Sequence, residues 1–202
     1  MNMPHILLVD NHDSFTWNLV ELLRNACEGT ITVKKPEETG LAVLRSCNRV
    51  IFSPGPGVPD EQPFMFSVLE EVEKMFLADT KTVPVLGVCL GMQAIALRYG
   101  GKLYNLPGVV HGQPHPLTLR QPEHPLWKGI PDGTPVGLYH SWAVEPSSLP
   151  EELQILATTP DGTIMALAHR QFPVTGVQFH PESFMTPEGL RIMRNWLGGN
   201  RQ

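Results

Sequence analysis

A chain of 202 residues with 42% hydrophobic and 17% charged side chains has enough apolar material to bury a sizeable core, which excludes global disorder. Its 15 basic and 20 acidic residues leave a formal net charge of −5, the wrong sign for a surface built on phosphate contacts, so nucleic acid is excluded as the main partner. No apolar run approaches the roughly 20 residues of a membrane helix, the opening residues lack signal-peptide character, and Cys27, Cys47 and Cys89 form no CxxC pair; a cytoplasmic chain with no membrane anchor and no disulfide framework is expected.

Ile6-Leu7-Leu8-Val9-Asp10 is a short continuous apolar run ending in an acid, the pattern of a strand buried on both faces of a parallel sheet. Phe15, Leu19, Leu22, Leu23 and Ala26 then recur at helical spacing, with Ser14 as the expected cap and Gly29 as the break. Residues 31–33 predict a second strand, 36–45 have weak helical character, and 49–53 predict a third strand running straight into the tight loop Pro54-Gly55-Pro56-Gly57. A helix over 64–77, a fourth buried strand over 83–88 and a helix over 92–99 closed by Gly100-Gly101 complete this half. Such alternation predicts βαβ units with right-handed crossovers. From 103 to 146 prolines and glycines crowd between short apolar pieces, predicting hairpins and loops. Residues 153–158, 164–169 and 174–179 read as strands at hairpin spacing, Asp161-Gly162 turning between the first two, and a last helix spans about 187–197. With no internal repeat or linker, the expected architecture is α/β: a mostly parallel central sheet between two helical layers, plus an antiparallel extension, in a single domain over 1–202.

In Val85-Leu86-Gly87-Val88-Cys89-Leu90-Gly91-Met92-Gln93 a cysteine stands between two glycines where a buried strand meets a helix. This is the pattern of a nucleophile elbow with sulfur in place of oxygen: the glycines permit a sharp turn, and the thiol is pushed out at the carboxyl end of the sheet. The helix N-terminus favours a thiolate, and the N–H of Leu90 can face an oxyanion. Taken alone, the window also suits one more small buried cysteine. The segment Gly176-Val177-Gln178-Phe179-His180-Pro181-Glu182-Ser183 tilts the balance. If the strand direction persists, His180 and Glu182 point to one side, and Cys89, His180 and Glu182 complete a triad of nucleophile, general base and orienting carboxylate. A polar strand end is the plainer alternative for the His-Pro-Glu tripeptide.

Four separated motifs, Asp10-Asn11-His12-Asp13-Ser14-Phe15-Thr16, Ser53-Pro54-Gly55-Pro56-Gly57, Gly87-Val88-Cys89-Leu90-Gly91-Met92-Gln93 and Phe179-His180-Pro181-Glu182-Ser183, resemble those of the class I (triad) glutamine amidotransferases. The resemblance implies a three-layer sandwich and the hydrolysis of L-glutamine through a γ-glutamyl thioester on Cys89. It implies an oxyanion hole from the N–H groups of Gly57 and Leu90, in a loop shaped by Gly55 and Pro56. It also places Gln93, Ser141 and Trp142 around the substrate glutamine. Without it, Gln93 reads as an exposed helix residue and Trp142 as a core aromatic.

Within the family, the opening motif and Tyr139-His140-Ser141-Trp142 look most like the glutaminase subunits of anthranilate synthase, with those of aminodeoxychorismate synthase very near. Either implies ammonia delivery to a separate chorismate-binding synthase subunit, with magnesium there and no cofactor or metal in this chain. Met92 stands where the pattern often has histidine, and is expected to affect helix packing. His111-Gly112-Gln113-Pro114-His115 replaces a His-Gly-Lys-x-Ser stretch, removing a cation and a hydroxyl. The spacing of His111 and His115 suits zinc on a helix, but Gly112 and Pro114 disfavour a helix there and no third ligand is evident. Cys27 and Cys47 read as packing residues, and Gly55 and Gly57 lack phosphate-loop spacing. A free-standing γ-glutamyl hydrolase and a catalytically silent subunit are the competing readings.

Overall fold

The computed structural model describes residues 3–198, with only the backbone described over residues 107–111. Strand β1 (His5–Val9) shows the logic of the centre: Ile6 and Leu8 enter one apolar cluster, Leu7 and Val9 another, and all four are fully buried. Successive side chains of a strand point to opposite faces, so a continuous apolar run is what a sheet covered on both faces requires.

The main sheet has eight strands. In spatial order they are β2 (Thr30–Lys34), β1, β3 (Arg49–Phe52), β4 (Val85–Val88), β10 (Val174–Val177), β9 (Ile164–His169), β8 (Leu153–Thr158) and β6 (Thr118–Leu119). The first five are parallel and the last three antiparallel in turn. On one face α1 (Thr16–Ala26) and α4 (Gly189–Trp196) share a cluster with Leu19, Leu23 and Ile192; on the other, α2 (Pro63–Leu77) and α3 (Leu90–Arg98) share one with Met65, Leu69 and Ile95. This is the expected three-layer α/β sandwich.

One expectation needs correction, and two gain detail. Ser14 does not cap α1: Phe15 holds the cap position without a side-chain bond. The loop's donors go instead to two carboxylates, Asp10 Oδ1 accepting from Thr16 Oγ1 (2.7 Å) and Asp13 Oδ1 from the Phe15 N–H (2.7 Å). Residues 103–146 contain, beyond loops, one long antiparallel ribbon, β5 (Leu103–Pro116) against β7 (Pro135–Val144), with irregularities between Asn105 and Val110 and between His111 and Gln113. A two-stranded ribbon is edge on both sides and tolerates the prolines that made this stretch look like turns. Finally, the hairpin spacing of the last strands holds for β9 and β10, which pair antiparallel, but does not reveal that the other edge of β10 pairs parallel with β4, Val177 opposite Val88.

Candidate active site

The parallel strands end together, and between β4 and α3 stands Cys89, with φ 52° and ψ −102°. A non-glycine residue there is strained by about 1–3 kcal/mol, and persists because its surroundings fix it. Its N–H donates to Val177 O (2.8 Å) and its carbonyl accepts from the Gln93 N–H (3.1 Å). The flanking glycines are required by close approach. A Cβ on Gly87 would lie 2.3 Å from the Gly91 carbonyl carbon, and one on Gly91 would lie 2.7 Å from Phe52 Cβ. The elbow inferred from Gly-x-Cys-x-Gly is therefore present.

The Cys89 thiol is 7% exposed, and its Sγ accepts from Gln178 Nε2 (3.4 Å). Gln178, fully buried, also accepts from Gln93 Nε2 (3.2 Å), which donates in addition to Trp142 O (2.9 Å). Burial pushes the thiols of Cys27 and Cys47 up, leaving them poor nucleophiles.

β10 ends at Val177, so His180 and Glu182 are not aligned by strand alternation as expected. A turn does it. The Ser183 N–H donates to His180 O (3.2 Å), with Pro181 at the second position, where its fixed φ suits a turn. Thr186 Oγ1 donates to the same carbonyl (2.7 Å), and the His180 N–H is held by Gly137 O on β7 (3.1 Å). The result is a 2.6 Å contact between His180 Nδ1 and Glu182 Oε1, with side chains 6% and 2% exposed. Burial alone would lower the imidazole pKa; Cys89 and Glu182 outweigh it and raise it to about 10. With Nδ1 committed to Glu182, Nε2 is buried and has no hydrogen-bond partner among the described residues. It is thus the nitrogen left for Cys89.

A cavity of about 190 Å³ is lined by Gly55, Pro56, Gly57, Cys89, Leu90, Gln93, Tyr139, His140, Ser141 and Trp142. It gathers every residue assigned by resemblance to the oxyanion and the substrate. Gly57 has φ +75°, a conformation that suits glycine, and Leu90 opens α3, so its N–H has no partner within the helix. The loop is anchored from below: buried Asn11 donates its backbone N–H to Ser53 Oγ (2.9 Å) and Nδ2 to Ser53 O (3.0 Å). Gln93 is buried rather than exposed, and Trp142 borders the cavity. Met92 packs as expected, its Cγ covering the space a Cβ on Gly176 would need. The His111 side chain lies outside the described residues. Two neighbours, Gln178 and Tyr139, stand inside motifs noted in the sequence but were given no role there; a glutamine interrupting the apolar run Val177-Gln178-Phe179 was the available signal for the first.

The family model of class-I glutamine amidotransferases matches residues 7–198. Anthranilate synthase component 2 of Methanothermobacter marburgensis is 40% identical over 199 residues, covering 95% of this chain and 97% of that one. Aminodeoxychorismate synthase component 2 of Escherichia coli is 37% identical over 196 residues, covering 95% and 98%. Among solved structures, a Thermotoga maritima glutamine amidotransferase superposes with a TM-score of 0.70 at 17% identity, covering 98% of this chain and 82% of that one, a likeness of fold. Matched over nearly its whole length, the chain belongs to the class-I glutamine amidotransferase family.

Proposed function

We propose that this amidotransferase is the glutaminase subunit of a chorismate-using synthase, releasing ammonia for anthranilate formation by a separate partner. The observation that carries the chemistry is the buried His180–Glu182 pair together with a strained cysteine that lines a cavity with Gly57 and Leu90. The Cys89 thiolate attacks the side-chain amide carbon of glutamine, and the N–H groups of Gly57 and Leu90 receive the oxyanion. The His180 imidazolium gives its proton to the leaving nitrogen, and ammonia departs from a γ-glutamyl thioester. Neutral His180 then takes a proton from water, the hydroxide adds to the thioester, and collapse expels the thiolate, restoring the charged pair and releasing glutamate. Gln93 acts largely by fixing the Trp142 carbonyl, so that Ser141 and Trp142 hold the substrate through the main chain. Each step uses this chain's own groups; magnesium belongs, in this proposal, to the partner.

The partner and its product rest on the resemblance to both synthase components. The deciding experiment supplies chorismate, magnesium and glutamine to the complex that co-purifies with the chain from its native source. Anthranilate is expected; aminodeoxychorismate or para-aminobenzoate would move the chain to the second synthase with its chemistry intact. In that complex Cys89→Ser should abolish synthesis from glutamine while synthesis from ammonium salts survives. Near-normal use of glutamine by the variant would overturn the nucleophile assignment.

A further inference from the structure

Cys89 and His180 line different cavities. Cys89 borders the 190 Å³ cavity, whereas His180 and Glu182 border a second one of about 310 Å³, rimmed by Phe15 and Phe184. Among the described residues, Tyr139 of β7 lines both. Its ring stands 4.9 Å from the His180 ring at 68°, an edge arrangement that limits how the imidazole can tilt. Its hydroxyl lies 3.0 Å from Ser183 Oγ, which accepts from the Met185 N–H (3.1 Å). Tyr139 thus grips the 180–183 turn at both ends, by ring contact with the first residue and a hydrogen bond to the last.

We propose that Tyr139 is a positioning residue: it holds the His180 imidazole against Cys89 and separates the cavity at Cys89 from the second cavity, which His180 borders. The inference rests on the reading of Cys89 and His180 as that pair. Among the described residues, the titratable groups that act on the ring are Cys89 from the elbow and Glu182 from the ring's own turn, and the ring in turn acts on Asp13 in the loop before α1. Without the Tyr139 ring the imidazole gains a way to swing out of line with the thiol, and water from the second cavity gains a path to it. The imidazole is then no longer held where it can exchange a proton with Cys89.

The test is alkylation of the full-length chain by iodoacetamide across a range of pH, with labelling at Cys89 followed by mass spectrometry and folding checked by circular dichroism. His180→Asn serves as reference. Tyr139→Phe, which keeps the ring, should stay within about twofold of the parent rate, and Tyr139→Leu should lose about tenfold near neutral pH, its profile moving toward that of His180→Asn. Tyr139→Leu, with its bulky side chain, guards against collapse of the site, and Tyr139→Ala is read beside it. A folded Tyr139→Leu with the parent profile would overturn the positioning role. If His180→Asn itself kept the parent profile, the pairing of Cys89 with His180 would fall, and the inference with it.

Discussion

His180 carries a charge in a place that would ordinarily refuse it. Burial works against the imidazolium, and Cys89 and Glu182 reverse the outcome, raising its pKa from the ordinary 6.5 to about 10. A pKa raised on folding stabilises the folded chain fully below the unfolded value, and that contribution is lost as pH rises from 6.5 through about 10. Glu182→Gln should therefore lower the ring's pKa, seen as a downfield-to-upfield titration of its ring carbons moving toward neutral pH. The same variant should lower kcat by about a hundredfold while KM changes little, because an oriented imidazolium matters most as the leaving nitrogen takes up its proton. A loss confined to KM would refute that role. Asp13 behaves differently: burial is the main cause of its raised pKa, partly countered by the Phe15 N–H and by His180, so this carboxyl sits uneasily as an anion beside Glu182.

At the scale of elements, the elbow depends on three pieces of backbone meeting without side chains between them. Gly91→Ala would drive a methyl to 2.7 Å from Phe52 Cβ and 3.0 Å from Phe52 O, and neither is the free end of a flexible chain. The expected cost is about 1–3 kcal/mol, read as a lower urea midpoint, together with slower Cys89 alkylation as the elbow shifts. An unchanged midpoint would show that β3 and α3 have slack. Elements were also where the sequence spoke most clearly. Ile6 to Val9 and Val85 to Val88 announced buried strands because nothing polar interrupts them, and the elbow was legible because glycines flank the cysteine. The His-Pro-Glu tripeptide pointed to two side chains that do meet, by a turn rather than by strand alternation: Pro181 makes the turn, and the turn brings Glu182 back to the ring. The antiparallel β5–β7 ribbon was expected as hairpins, but its length was not legible because prolines, which punctuate most strands, are tolerated along its open edges.

Across the whole molecule, two apolar layers press on one sheet, and each is tied to the site from its own side. Leu69, fully buried on α2, belongs to the cluster that also holds Leu90 and Met92. Leu69→Ala should cost about 2–5 kcal/mol in urea unfolding. Under native conditions it should leave Cys89 alkylation within about twofold, since the elbow's bonds to Val177 and Gln93 do not run through α2. A large fall in alkylation without loss of stability would instead tie α2 to the elbow. Sequence alone could not foresee this organisation, because Val174 to Val177 carries no mark of which strands will be its neighbours.

That fifth position of β10 has a bearing on the chain's own birth. The strand that stands between β4 and β9 emerges from the ribosome after every other strand of the sheet, and His180 and Glu182 follow it immediately. Until then the growing chain exposes an unfilled slot beside β4, with the Val177 carbonyl that anchors the Cys89 N–H still missing. A nascent or C-terminally interrupted polypeptide therefore owns Cys89 without His180 and Glu182, and under the proposed chemistry could not consume glutamine before the sheet is whole.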